Sequence, residues 1–202
     1  MKLYNRNKKL CGVGVNDADY NVVEHATVGG KSKIVWKCPF YRTWTDMLKR
    51  CYYSKLQSKN PTYIGCSVCE EWLTFSRFKT WMEEQDWQDK QLDKDLLKEG
   101  NKVYCPEYCL FVDGKINKFV TDSGAARGEY MIGVYWHKRH GKFVSQCNNP
   151  FIGKQEHLGY FTNELEAHLT WKKRKHELAC LLADSELVSD PRLTEALKTR
   201  YL

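Results

Sequence analysis

The chain has 202 residues, a formal net charge of +7 at pH 7 and nine cysteines. This length is sufficient for one domain or for two small domains, each with its own hydrophobic core. No stretch stays apolar for long enough to cross a bilayer, which argues against an integral membrane protein. The aromatic content of 13% argues against a disordered chain. The positive charge allows a polyanionic partner without requiring one.

The cysteines are concentrated in the first half of the chain, where six of the nine lie between residues 38 and 109. Cys66 and Cys69 have the two-residue gap that lets two thiolates bind one zinc ion, and Cys105 and Cys109 form a second, slightly wider pair. These four residues are candidate ligands of a structural zinc ion. The alternative is that they are small buried core residues, which is common for free cysteine. No export signal is visible at the N-terminus, so we expect a reducing cytoplasm rather than a disulfide framework.

The first 120 residues contain signals for both helices and strands. Residues 1–40 are punctuated by glycine and read as an irregular or short-stranded segment. Residues 41–53 place apolar side chains at helical spacing, which predicts an amphipathic helix, and a second helix is expected over residues 72–82. Loop signals fill residues 57–65. Beyond them we expect strands near 91–96 and 108–112, a loop around Gly100, and a short helix after Asp113.

The chain after residue 120 has a different pattern. Residues 121–129 are small and polar and are predicted to be a linker. Strands are expected over 130–136, 142–147 and 156–161, followed by a helix that Thr162 can cap and that runs to about residue 182. A last helix is predicted after Pro191. The fold class is therefore α+β, with domains at 1–120 and 130–183 and a helical tail at 184–202.

Several short motifs in the second half agree in order and spacing with a known family. They are residues 132–134 (Ile-Gly-Val), 141–144 (Gly-Lys-Phe-Val), 153–154 (Gly-Lys) and 157–161 (His-Leu-Gly-Tyr-Phe), then Glu164, Glu166, Ala167 and His168. This segment, roughly 128–180, resembles the ethylene-response-factor (APETALA-type) DNA-binding domain, which also occurs appended to phage endonucleases.

The resemblance implies a three-stranded antiparallel sheet that lies in the major groove of double-stranded DNA and one helix that braces it. Carried over residue by residue, the DNA contacts are Tyr135, His137, Arg139, Lys142, Gln146, Asn148 and Lys154. Lysine and arginine neutralise phosphates, and amides read base edges. The chain departs from the plant members at Tyr135, where they carry arginine, and at Phe143, where they carry tryptophan.

The first half is similar to phage proteins of the HNH-endonuclease type. The residues that carry this similarity are 12–20, 38–42, 47–52, 63–72, 92–96 and 100–104. HNH nucleases have a ββα-metal fold in which a histidine activates water and one divalent metal steadies the departing phosphate oxygens. The similarity therefore implies an HNH-like ββα-metal module with flanking helices in residues 1–120.

The family's Asp-His pair is replaced here by Asp93-Lys94, which is followed by Asp95, and no histidine lies between His25 and His137. Asp93, Asp95 and Asn117 are the candidate ligands of a catalytic Mg²⁺ or Mn²⁺ ion. Lys94 is a poor base at neutral pH but can pair with a phosphate, and Asn101 is expected to orient the loop. The alternative is that both aspartates are ordinary surface charges beside a strand.

Three functional hypotheses follow, all for a protein in the cytoplasm of an infected bacterial host. The first is a phage homing or nicking endonuclease whose C-terminal sheet selects the site. The second is a DNA-binding regulator on a nuclease scaffold that has lost catalysis. The third is a phage protein that binds a host defence protein. The two resemblances together favour DNA as the partner.

Overall fold

The computed structural model describes residues 9–121 and 128–202. Most of the predicted linker, residues 122–127, lies outside the described residues, as do the first eight residues of the chain. The chain divides between Phe111 and Val112 into two units, earlier than the boundary that the sequence suggested after residue 120. Helices and strands are mixed in both units, which confirms the α+β class. Within the described ranges, none of the helices has the length and apolarity to cross a membrane.

In residues 9–111, the described part of the first unit, there are three helices and six short strands, the last of which ends at Val112 just beyond the boundary. The helices are α1 (Pro39–Tyr52), α2 (Ser54–Lys59) and α3 (Phe75–Glu83), with single 3-10 turns at Pro61–Tyr63 and Glu70–Leu73. The strands are β1 (Val23–Val28), β2 (Lys31–Lys37), β3 (Ser67–Val68), β4 (Gln91–Asp93), β5 (Val103–Tyr104) and β6 (Leu110–Val112). They pair as β1–β2, β3–β5 and β4–β6.

The core of the first unit forms where α1 packs against α3. The predicted stripe of α1 is confirmed, because Trp44, Met47, Leu48 and Cys51 are all buried. The indole N–H of Trp44 donates to the carbonyl of Trp72 at 2.7 Å, which satisfies the polar atom of a buried ring. Gly14 permits close packing here, since a β-carbon at that position would lie 2.4 Å from Leu48 Cδ1.

Two sequence predictions in this unit were wrong in detail. The loop predicted over 57–65 begins only after residue 59, because residues 57–59 belong to α2. The side-chain amide of Gln57 donates to the carbonyl of Cys51 at 2.6 Å and holds α2 against the end of α1. The helix expected over 72–82 is a 3-10 turn followed by α3. Asp17 from the N-terminal segment accepts the backbone N–H of Ser76 at 2.9 Å and so caps α3 from a distance.

The strand predicted over 91–96 is cut short at Asp93. Its carboxylate accepts the backbone N–H groups of Asp95 at 3.0 Å and Leu96 at 2.8 Å. An aspartate that bonds its own following backbone forms a turn and competes with strand pairing. β4 therefore ends where the aspartate begins the turn.

The second unit consists of one sheet and three helices. It contains α4 (Gly114–Val120), β7 (Val134–His137), β8 (Lys142–Asn149), β9 (Lys154–Phe161), α5 (Glu164–Ala183) and α6 (Pro191–Thr199). The sheet is antiparallel in the order β7–β8–β9, as predicted. The strand bounds differ from the prediction, since β7 covers 134–137, β8 continues through Asn149 and β9 begins at Lys154. Asn163 rather than Thr162 caps α5 by accepting the N–H groups of Leu165 and Glu166.

Lys175 on α5 holds the ends of the second unit together. Its side chain is buried, its ammonium donates to the carbonyl of Phe119 at 2.6 Å, and it lies 3.5 Å from the centre of the Phe119 ring. The ring of Tyr201 is also within cation–π distance, at 5.7 Å. Through these contacts α4 and the C-terminal residues belong to the same body as α5, so residues 184–202 are not a separate tail.

Candidate functional site

The three-stranded sheet has two faces with different chemistry. Side chains alternate along a strand, and residues paired in register share a face. On the inner face, toward α5, Ser145, Cys147 and Asn149 are buried. Arg174 of α5 reaches Glu156 on this face with Nε–Oε2 and Nη2–Oε1 distances of 2.7 and 3.0 Å. The inner face is therefore fixed to the helix.

Five of the seven predicted DNA contacts share the opposite, outer face. Tyr135 pairs with Val144, and His137 pairs with Lys142. Gln146 and Asn148 follow Val144 at alternate positions along β8, so they lie on the same side. Val144 lies on this side but is buried. The outer face is defined here by the residues Tyr135, His137, Lys142, Gln146, Asn148, Gln155, His157 and Tyr160.

The other two predicted contacts lie elsewhere. Arg139 is in the turn between β7 and β8, within residues 138–141. Lys154 pairs with Asn149, whose side chain is buried on the inner face. Lys154 is exposed at the start of β9, but by register it belongs to the inner side.

Sequence reasoning missed an aromatic cluster centred on Tyr160. The ring centre of Tyr160 lies 5.9 Å from that of His137, 5.1 Å from that of His140 and 4.8 Å from that of His157. A bulge in β9 explains the omission: Ser145 pairs with Gly159 while Gln146 pairs with His157. Strict alternation from Phe161 would have placed His157 on the inner face, so only the pairing itself reveals the cluster.

The outer face carries no carboxylate from the three described strands. Glu156 is the sole acidic residue in β7, β8 and β9, and it points to α5. Hydrogen bonds from Arg174 and Asn149 lower the pKa of Glu156 to about 2. Its charge is thus compensated on the inner side, and the outer face is left with cationic, amide, imidazole and phenol groups.

The second candidate site lies at the end of β4. Burial is the main cause that raises the pKa of Asp93, and the charge of Asp95 adds to it. Lys94 is only 6% exposed, and its ammonium donates to Asp95 Oδ2 at 2.9 Å. Burial alone would lower the pKa of Lys94, but the hydrogen bond and charge of Asp95 outweigh it, so the pKa is raised and Lys94 stays protonated.

Asn101 fastens the loop that follows β4. Its amide nitrogen donates to the carbonyl of Lys94 at 2.6 Å and to that of Val103 at 2.7 Å, and its oxygen accepts the Val103 N–H at 3.2 Å. Asn117 is half-buried on α4, in the second unit, whereas Asp93 and Asp95 belong to the first. Asn101 therefore stabilises the loop by bonding its backbone. The ammonium of Lys94 forms an ion pair with Asp95.

Both carboxylates at the end of β4 already make other contacts. The Asp93 carboxylate already accepts two backbone N–H groups, and Asp95 is neutralised by Lys94. Over residues 9–121 and 128–202, no three His, Cys, Asp or Glu side chains are placed so that they could hold a metal ion. The Mg²⁺ or Mn²⁺ site at Asp93, Asp95 and Asn117 therefore stays a prediction.

The four predicted zinc ligands lie next to the paired strands β3 and β5. Cys66 and Cys69 lie immediately before and after β3, and Cys105 and Cys109 follow β5. The thiol of Cys66 points toward the carbonyl of Thr62 at 3.9 Å. When ionised, Cys66 raises the pKa of Cys51. By contrast, burial is the main cause that raises the pKa of Cys109, and the charges of Cys105 and Cys69 raise it further. The arrangement does not fit a four-thiolate zinc site, and zinc binding stays a prediction that metal analysis can test.

Comparison with known proteins gives no relative from which a role could be transferred: no protein-family model, curated protein or solved structure matches the chain. A function for the chain therefore has to be inferred from its own residues.

Proposed function

We propose that the protein binds double-stranded DNA with the outer face of the β7–β8–β9 sheet. The observation that carries the proposal is the segregation of charge, because Glu156 is turned to the helix and bound by Arg174. A surface that meets phosphates must avoid uncompensated carboxylates. The resemblance of residues 128–180 to a DNA-binding domain agrees with this assignment.

The side chains of the outer face match the chemistry of a DNA groove. Lys142, and Arg139 in the adjacent turn, provide cations for phosphate oxygens. Gln146 and Asn148 provide amides that can both donate to and accept from base edges. A β-structure is narrow enough to enter the major groove, which is about 12 Å wide.

The test measures DNA affinity by fluorescence anisotropy with a duplex oligonucleotide at several salt concentrations. We expect affinity to fall steeply between about 50 and 200 mM salt. Lys142→Ala should weaken binding and reduce the slope of log affinity against log salt by about 1, as expected for one lost phosphate contact. Lys154→Ala is the matched control, since it removes the same charge from the same sheet on the inner side. Absence of salt-sensitive binding at low salt would overturn the proposal and favour binding of a host protein.

We propose DNA cleavage as a second candidate activity, because Asp93 and Asp95, the acidic residues that the HNH resemblance implies, lie together at the end of β4, which pairs with β6. A carboxylate whose pKa is raised is a better proton acceptor than an ordinary one, and Asp93 has this property. The test incubates supercoiled plasmid with the protein and Mg²⁺ or Mn²⁺. Nicking that disappears in Asp93→Asn supports an endonuclease. DNA binding without nicking supports a regulator that has lost catalysis.

A further inference from the structure

The β1–β2 hairpin has both of its faces exposed. Every residue from Glu24 to Trp36 is exposed, and the chain enters and leaves at buried Val22 and Cys38, joined by a backbone hydrogen bond of 2.9 Å. Lys37 anchors the base, with its ammonium donating to Thr45 Oγ1 on α1 at 2.7 Å. We call residues 23–37 the ribbon.

The ribbon is built like a binding element rather than a core element. A two-stranded hairpin alone is marginally stable in water and normally needs something to pack against. Here Ile34 and Val35 are 60% and 57% exposed, although β-branched residues usually bury one face of a strand. Apolar side chains grouped on an exposed element mark interaction sites.

The charged residues of the ribbon are unevenly distributed between its tip and its base. Lys31 pairs with Val28 and Lys33 pairs with Ala26, so both ammonium groups lie on one face near the tip. The ribbon's one acidic residue, Glu24, pairs with Trp36 at the base. The tip is Gly29-Gly30, with positive φ of 59° and 74°, a conformation suited to a tight hairpin turn. The leading end is therefore cationic and without bulky side chains.

We propose that the ribbon enters a groove of double-stranded DNA as a second contact, with Lys31 and Lys33 on phosphates. The identity of the partner rests on the proposed function. DNA fits the charge order because Lys31 and Lys33 lie at the tip and Glu24 lies at the base, away from the duplex. The third cation, Lys37, is held at the base by its hydrogen bond to Thr45. The dimensions also fit, since a two-stranded ribbon is admitted by the major groove and strands of this length extend about 20 Å.

The experiment compares the Lys31→Ala/Lys33→Ala double variant of the full chain with the unaltered protein by anisotropy on the same duplex. The slope of log affinity against log salt should become smaller by about 1.8, which is about 0.9 for each lost phosphate contact. Lys55→Ala/Lys59→Ala on α2 is the matched control, because both lysines are exposed in the same unit; its slope should stay unchanged. Circular dichroism and thermal unfolding verify that each variant is folded.

The outcomes separate this proposal from the proposed function. If Lys142→Ala reduces the slope and the ribbon variant does not, the ribbon proposal is overturned and the sheet proposal stands. If the ribbon variant reduces the slope and Lys142→Ala does not, the ribbon binds DNA and the sheet does not. An unchanged slope, together with a dimer in sedimentation that Ile34→Asp dissociates, would assign the ribbon to a second copy of the chain and reject DNA.

Discussion

Glu156 and Arg174 form a two-point ion pair between β9 and α5, with N–O distances of 2.7 and 3.0 Å. Planar bidentate pairs of this kind combine charge with fixed geometry. Asn149 contributes a third bond to the same carboxylate at 2.6 Å. The pair joins sheet to helix and also removes the one acidic strand residue from the outer face.

This ion pair predicts an acid-sensitive second unit. The folded pKa of Glu156 is lowered to about 2, below the value of about 4.3 expected in an unfolded chain. A lowered acid pKa stabilises the fold above the unfolded value, and this contribution is lost as pH falls from about 4.3 toward 2. Thermal unfolding of Glu156→Gln should show a weaker dependence on pH in this window. An equal dependence in both proteins would contradict the assignment.

Lys175 should be essential to the stability of the second unit. Lys175→Met removes the donor to the buried carbonyl of Phe119 and the cation beside its ring. Leaving a buried acceptor without its partner costs about 1–3 kcal/mol, and urea unfolding measures this loss. Lys173→Met is the control on the same helix, since Lys173 is exposed, and we expect its midpoint to be nearly unchanged. Equal effects at the two positions would count against the buried contact.

Gly133 should tolerate no side chain. Its φ is +80°, and a β-carbon would lie 2.1 Å from Trp171 Cγ. Gly133→Ala combines overpacking, which costs about 1–3 kcal/mol, with the strain of a left-handed backbone, about 1 kcal/mol. Gly141→Ala separates the two effects, because its φ is +56° but nothing lies within 4 Å of the added carbon. Chemical denaturation should therefore show a clearly larger loss at Gly133.

Asp93 should be replaceable by asparagine but not by alanine. Asp93→Asn keeps an oxygen that can accept the N–H groups of Asp95 and Leu96. Asp93→Ala loses both bonds, and about 1 kcal/mol of stability for each is expected. Amide hydrogen exchange at Asp95 and Leu96 is the measurement, with faster exchange in the alanine variant alone. If asparagine also accelerates exchange, the turn depends on the negative charge rather than on the acceptor.

Periodicity anticipated the elements that bury one face. The spacing of Trp44, Met47, Leu48 and Cys51 was enough to predict α1. The residue pattern also predicted three strands before a long helix, and the resemblance added their antiparallel pairing. In these segments the local pattern and the tertiary packing require the same structure.

Other features depend on contacts that a local pattern does not contain. The ribbon has no buried face, so residues 23–37 show no alternation that would distinguish a strand. The pairing of β3 with β5 joins segments far apart in sequence. Of the predicted contacts, Tyr135, His137, Lys142, Gln146 and Asn148 share one face of the sheet. The positions of Tyr160 and His157 depend on a bulge that only backbone pairing defines.

The bulge in β9 also determines whether this strand tolerates a deletion or an insertion of one residue. Leu158 is the extra residue, since Gly159 and His157 pair with neighbouring residues of β8. Deleting Leu158 would restore a regular ladder in which Glu156 still meets Arg174 and His157 still lies beside Tyr160. An insertion on either side would instead exchange the two faces of the strand's first half. That exchange would bring the carboxylate to the outer side and place imidazole under the helix. Natural variants of this strand should therefore lose a residue at this point more readily than they gain one.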